Sequence, residues 1–189
     1  MVRRVVMAAI VATLIATSSA SAQQAFVAVS GGATVGDLYG GAINTDSRWG
    51  GTAGVSLGFR NWNYFVTELE ANWVQKGGGD TRLDYIEIPA LFGAVVQSAT
   101  GLGVRAYTGI GIAFPVSCSS EISELVCDSK KSPEWAWPFG LQFGRWLNPN
   151  RFFALDVRYS IGLSDAFDLA LPTNRSWQFR AFVGFPVGS

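Results

Sequence analysis

The chain contains no histidine. That absence removes every mechanism that needs imidazole as base, acid or metal ligand. Charge is scarce as well. Charged residues make up 15% of the chain, against about 25% in an average soluble domain. Lys and Arg number 14 and Asp and Glu 14, so the basic excess of a nucleic-acid-binding protein is missing. The two cysteines form no Cys-x-x-Cys pair, which argues against a redox or zinc motif. Beyond the N-terminal segment no apolar run reaches the length of about 18 residues that a membrane-spanning helix needs. The serines have no imidazole partner and no Gly-x-Ser-x-Gly surrounds them, so a serine hydrolase is unsupported. Gly77-Gly78-Gly79-Asp80 lacks the Gly-Lys-Ser/Thr of a phosphate loop and reads as a flexible turn. No cofactor is expected.

What the chain does have is apolar and aromatic. It is 49% hydrophobic and 13% aromatic, with 22 glycines and 7 tryptophans in 189 residues. Such a composition excludes a disordered chain. The first 22 residues read as a secretory signal peptide. Arg3 and Arg4 form its positive start, Val5 to Ala16 an uncharged apolar run, and Ala20-Ser21-Ala22 a small-x-small cleavage site. Residues 23–189 then form one domain.

That domain is dominated by period two, the mark of half-buried strands. In Tyr85 to Val96 one face carries Ile86, Ile88, Ala90, Phe92, Ala94 and Val96. The other carries Tyr85, Glu87, Pro89, Leu91, Gly93 and Val95. The same alternation runs through 65–74, 104–114, 152–161 and 176–187, and less sharply through 26–35, 50–59 and 135–146. Eight strands result. Glycines scattered through them disfavour helices.

The connections alternate in length. Those at 36–49, 115–133 and 162–174 are long, and 76–82 is moderate. Those at 60–63, 97–101 and 147–150 are short. Transmembrane barrels have short turns on the periplasmic side and longer loops outside. Face composition settles the direction. Eight strands enclose a lumen just wide enough for side chains. The Trp- and Phe-rich faces are too bulky for it, whereas the faces with Gly54, Ser56, Gly58, Gly109, Gly111, Gly140, Gly144 and Gly184 would fit. The fold class is therefore all-β, an eight-stranded antiparallel up-and-down transmembrane β-barrel. Trp73, Trp135, Trp137, Tyr159 and Trp177 lie toward strand ends, where aromatic girdles meet water. The alternative is a soluble lipocalin-like barrel with its apolar face turned inward around a ligand.

The stretch Glu68-Leu69-Glu70-Ala71-Asn72-Trp73-Val74-Gln75-Lys76-Gly77, followed by Tyr85-Ile86-Glu87-Ile88-Pro89-Ala90-Leu91, resembles the small outer-membrane β-barrel family often labelled porin-like. That family shows an acidic-aromatic strand ending in Gln-Lys-Gly, then a strand with an aromatic, Glu-Ile-Pro and an apolar run. The resemblance implies the outer membrane of a Gram-negative bacterium, an eight-stranded barrel and no single activity. One departure is visible. Such barrels end on or beside an aromatic, whereas here Pro186-Val187-Gly188-Ser189 follows Phe185.

The inward faces bring together Glu68, Glu70, Glu87 and Asp156 with Arg105, Arg158 and Arg180. Buried charges must be paired, and the planar guanidinium meets carboxylates bidentately. The expected result is a salt-bridge plug rather than a proton path or a carboxylate pair for hydrolysis. Cys118 and Cys127 favour a disulfide within the 115–133 loop. Asp37, Asp46, Asp80, Asp128 and Asp165 read as solvated loop acids, since their spacing matches no calcium loop. The functional expectation is an integral outer-membrane barrel with a structural or surface-interaction role. It has no enzyme activity and touches lipid, lipopolysaccharide and an extracellular partner through loops 36–49, 115–133 and 162–174. A narrow pore for small solutes or ions is the first rival, a soluble ligand-binding barrel the second, and a lipid-modifying enzyme the third.

Overall fold

The computed structural model describes residues 24–40, 46–61, 64–120, 127, 132–148, 151–166 and 173–187. The expected signal peptide, 1–22, lies outside them. The strands are β1 (Gln24–Tyr39), β2 (Arg48–Asn61), β3 (Phe65–Gly78), β4 (Thr81–Gln97), β5 (Leu102–Ser120), β6 (Glu134–Asn148), β7 (Arg151–Gly162) and β8 (Thr173–Val187). Each pairs antiparallel with its neighbours in sequence, and β1 pairs with β8 from Ala25↔Val187 to Tyr39↔Thr173. The sheet closes on itself and leaves no edge, so every strand finds two partners for its backbone groups.

The pleat sorts side chains as the alternation requires. Leu69 is 52% exposed, while its neighbours Glu68 and Glu70 are 5% and 2% exposed. Val55, Phe92, Ile110 and Leu155 likewise point outward. Ionic and polar groups fill the lumen, which is the reverse of a soluble barrel with an apolar interior. Aromatic side chains do enter the lumen at the short-turn end. There Phe26 and Phe152 meet edge to face with centroids 5.3 Å apart. The Phe26 ring lies against Gly58 and the Phe152 ring against Gly184. A ring laid over glycine fills the space that the missing side chain leaves.

The strands outrun their apolar periodicity at the long-loop end. β3 continues to Gly78 and β4 begins at Thr81, so the moderate connection expected at 76–82 is only the turn Gly79-Asp80. β5 continues to Ser120, which puts Cys118 in a strand rather than in the loop expected at 115–133. The reason is physical. Beyond the apolar belt the residues turn polar, and the apolar repeat stops while the backbone ladder goes on (Gln75↔Asp84, Gly77↔Arg82, Leu83↔Cys118). Gly77 is required here. Its φ is +118°, and the Thr81 carbonyl occupies the place of a Cβ.

Candidate functional site: an ionic core across the lumen

The site begins with parity. Even positions of β3 and β7 face inward, as do odd positions of β5 and even positions of β8. That places Glu70, Tyr107, Asp156, Arg158 and Arg180 at one level of a narrow tube. Arg158 donates to Glu70 twice, Nη1 to Oε2 at 2.9 Å and Nη2 to Oε1 at 2.7 Å. Arg180 donates through Nη1 to Glu70 Oε2 at 3.0 Å. Its Nε and Nη2 donate to Asp156 Oδ2 at 3.0 and 2.7 Å. The Tyr107 hydroxyl donates to Asp156 Oδ1 at 2.7 Å and accepts from Arg158 Nε at 3.0 Å. Asn72 Nδ2 adds a bond to Glu70 Oε2 at 2.7 Å. Two carboxylates and two guanidinium groups neutralise one another, and all four side chains are buried.

Burial of such a set is tolerable only because it is paired and hydrogen-bonded throughout. Each carboxylate oxygen of Glu70 and Asp156 already accepts at least one bond. No oxygen of either is left open to a substrate, so the arrangement suits filling and bracing rather than acid–base work. The Arg180 guanidinium also lies 4.7 Å from the Phe182 ring centroid, a cation–π contact that keeps the apolar neighbour useful.

Three further groups stack along the axis. Toward the short turns, Arg105 pairs with Glu68. On the long-loop side, Lys76 pairs with Glu87. Higher again, Tyr85 donates to Glu134 at 2.6 Å, and Asn174 donates to Tyr85 and Glu134 at 2.8 and 2.9 Å. All seven charged residues expected in the lumen do face it. One grouping differs from expectation: Glu87 joins Lys76, not the arginines. Sequence reasoning missed Lys76, Asn72, Tyr107, Glu134 and Asn174 as partners. Parity was the available signal. Lys76 follows Glu70, Asn72 and Val74 on the inward face, Glu134 precedes Ala136, and Asn174 precedes Ser176 and Gln178.

No protein-family model and no curated protein matches the chain. Solved structures do. Neisserial surface protein A superposes with a TM-score of 0.56 at 15% identity, over 85% of this chain and 97% of its own. The outer membrane protein OprG from Pseudomonas aeruginosa gives 0.57 at 14%, over 89% and 98%.

The fold is that of a small outer-membrane β-barrel.

The outer wall of this outer-membrane-type barrel carries aromatic side chains toward its borders. Trp73, Trp135, Trp137 and Trp177 are exposed and Tyr159 is half-buried. Tyr159 and Trp177 have ring centroids 4.7 Å apart, and Phe139 links Tyr159 to Trp137 at 5.6 and 5.8 Å. All five expected girdle residues sit toward the long-loop end. They come late in β3 and β7 and early in β6 and β8, which run opposite ways, so one border collects them. Among the described residues the short-turn border shows Tyr64 and Phe65.

Above the apolar belt, Arg82 holds Asp84 on the outer wall, Nε to Oδ1 and Nη2 to Oδ2, both at 2.8 Å. Those bonds hold the Asp84 carboxyl below its ordinary value of 3.8, against the opposing effect of burial. Cys118 and Cys127 form a disulfide with Cα atoms 5.6 Å apart. Of the acids expected in loops, Asp37 lies in β1 opposite Arg175, and Asp128 is outside the described residues.

Proposed function

We propose that the chain is an integral protein of the Gram-negative outer membrane, closed by its own side chains, which acts through the surface it displays outside the cell. The block of Glu70, Arg158, Arg180, Asp156 and Tyr107 carries this reading. It ties β3, β5, β7 and β8 together across the lumen, and an eight-stranded barrel has little room left once such a block is in place. The outward Val, Leu, Ile and Phe side chains need hydrocarbon around them. Lipid and lipopolysaccharide are then its lateral neighbours. Segments 36–49, 115–133 and 162–174 are the surface for an extracellular partner, and the disulfide stiffens the second of them. The reading assigns the protein no reaction and no cofactor.

Two measurements test it. Heat-modifiable migration together with membrane fractionation reports closure and location, and release into a soluble periplasmic fraction would defeat the membrane assignment. Planar-bilayer recording of the folded barrel should show a silent membrane. Stable open channels would favour the narrow pore instead.

A further inference from the structure

Charge is spread unevenly along the barrel axis. The segments that build the short-turn end, 23–30, 57–67, 93–104, 141–155 and 181–189, contain no Asp or Glu. Two arginines of that end, Arg145 in β6 and Arg151 in β7, are exposed. Both point to the outer wall, Arg145 in step with Leu141 and Phe143 and Arg151 in step with Phe153. Arg145 pairs with Phe153 on one side and with Leu102 on the other. Arg151 comes two residues before Phe153, so the two arginines are diagonal neighbours across the β6–β7 ladder, about 7–8 Å apart. Leu102, Phe143 and Phe153 beside them are 55%, 47% and 38% exposed. The long-loop border is different. There Arg82 holds Asp84, and Arg175 lies opposite Asp37 in the ladder. Outward arginines are thus matched by acids at one border and unmatched at the other. Two cations held so close repel each other unless an anion lies between them. Their stems can lie on the apolar neighbours while the guanidinium groups reach the head-group level.

We propose that Arg145 and Arg151 together bind the phosphodiester of an anionic phospholipid, with its acyl chains laid along Leu102, Phe143 and Phe153. The inference rests on the membrane orientation proposed above, which turns the short connections toward the periplasm and so assigns this lipid to the inner leaflet. A phosphatidylglycerol head group brings a net negative charge, and guanidinium is well suited to phosphate oxygens. Phosphatidylcholine fits less well, because its own trimethylammonium already neutralises the phosphate and is repelled by the pair.

The experiment has two stages on the full folded barrel. Flotation with phosphatidylcholine vesicles and with phosphatidylglycerol vesicles first reports insertion. Native mass spectrometry from a neutral detergent, with equimolar phosphatidylglycerol and phosphatidylcholine of the same chains, then reports which lipid stays bound. Phosphatidylglycerol should be retained at least about tenfold over phosphatidylcholine, since each arginine near anionic lipid contributes roughly fivefold. The preference should shrink as salt is added. It should vanish in the double variant Arg145→Gln/Arg151→Gln and persist in Arg82→Gln, which removes the same kind of charge from the other border. Glycerophosphoglycerol, the same phosphodiester without chains, should not displace the lipid at equal concentration. Equal retention of the two lipids, an unchanged double variant, an equal loss in Arg82→Gln or displacement by the soluble phosphodiester would each overturn the assignment. If the double variant fails to fold, the lipid preference and its salt dependence in the unaltered barrel decide alone. A barrel that enters neither kind of vesicle defeats the membrane reading and this inference with it. One that enters both and retains the two lipids equally defeats the inference only.

Discussion

Arg158 grips Glu70 end to end, through two hydrogen bonds of 2.9 and 2.7 Å between residues 88 apart in the chain. The pair spans from β7 to β3, strands that share no ladder. It thus joins opposite walls of the barrel at a point where backbone bonding cannot.

Removing one member should therefore be severe. Arg158→Ala leaves Glu70 buried with only part of its compensation, and the expected loss is about 3–5 kcal/mol. The midpoint of urea unfolding from lipid vesicles measures it. An unchanged midpoint would mean that the ionic core contributes nothing to stability.

Gly140 tests the same core without touching a charge. A Cβ there would sit 2.6 Å from the Tyr107 hydroxyl and 2.5 Å from the Val157 carbonyl. Gly140→Ala should displace Tyr107 from Asp156 and cost about 1–3 kcal/mol through overpacking, read by the same unfolding midpoint. A variant as stable as the parent would place the Tyr107 hydroxyl elsewhere.

The outward face makes an opposite demand. Ile110, 52% exposed at the middle of β5, should accept arginine poorly in a bilayer, at about 2–4 kcal/mol. The measurement is refolding into vesicles of defined lipid. If Ile110→Arg folds with the stability of the parent, that face does not meet hydrocarbon.

At the rim, Asp84 titrates in a window that follows from its partner. Arg82 depresses the folded-state carboxyl below 3.8. The stabilisation is therefore full above 3.8 and fades as the pH falls through the lower folded value. Acid unfolding of Arg82→Ala should begin at a higher pH than that of the parent, as followed by tryptophan fluorescence. Coincident acid transitions would remove the pair from the account.

The disulfide gives the simplest assay. Thiol titration of the denatured, unreduced chain should find no reactive cysteine, and reduction should release both Cys118 and Cys127.

Much of this architecture was legible in the residues themselves. Eight alternating segments, the order of short and long connections and the inward acids and arginines all follow from period two and from the width of the lumen. Legibility failed where the apolar signal failed. Lys76 sits beyond the belt between outward Gln75 and Gly77, so only parity carried across from Glu70 marks it as inward, and Glu134 lies one residue ahead of the alternating stretch 135–146. The split of Glu87 from the arginine cluster was also hidden, because the stagger between β3 and β4 decides whether Glu87 meets Lys76 or Arg158. Stagger depends on how the ring closes, which no single strand records. The gathering of Trp73, Trp135, Trp137, Tyr159 and Trp177 at one border was hidden for a related reason, since it emerges only when opposite strand directions are overlaid.

β5 has a further consequence through its length. A tilted strand crosses hydrocarbon in about 9–11 residues, yet β5 runs for 19 and pairs with β4 as far as Thr81↔Ser120. In the membrane orientation proposed above, the surplus raises a twisted ribbon about 20 Å above the hydrocarbon. Its tip at Ser120, with the disulfide-bonded Cys118 two residues below, then stands clear of the lipid head groups.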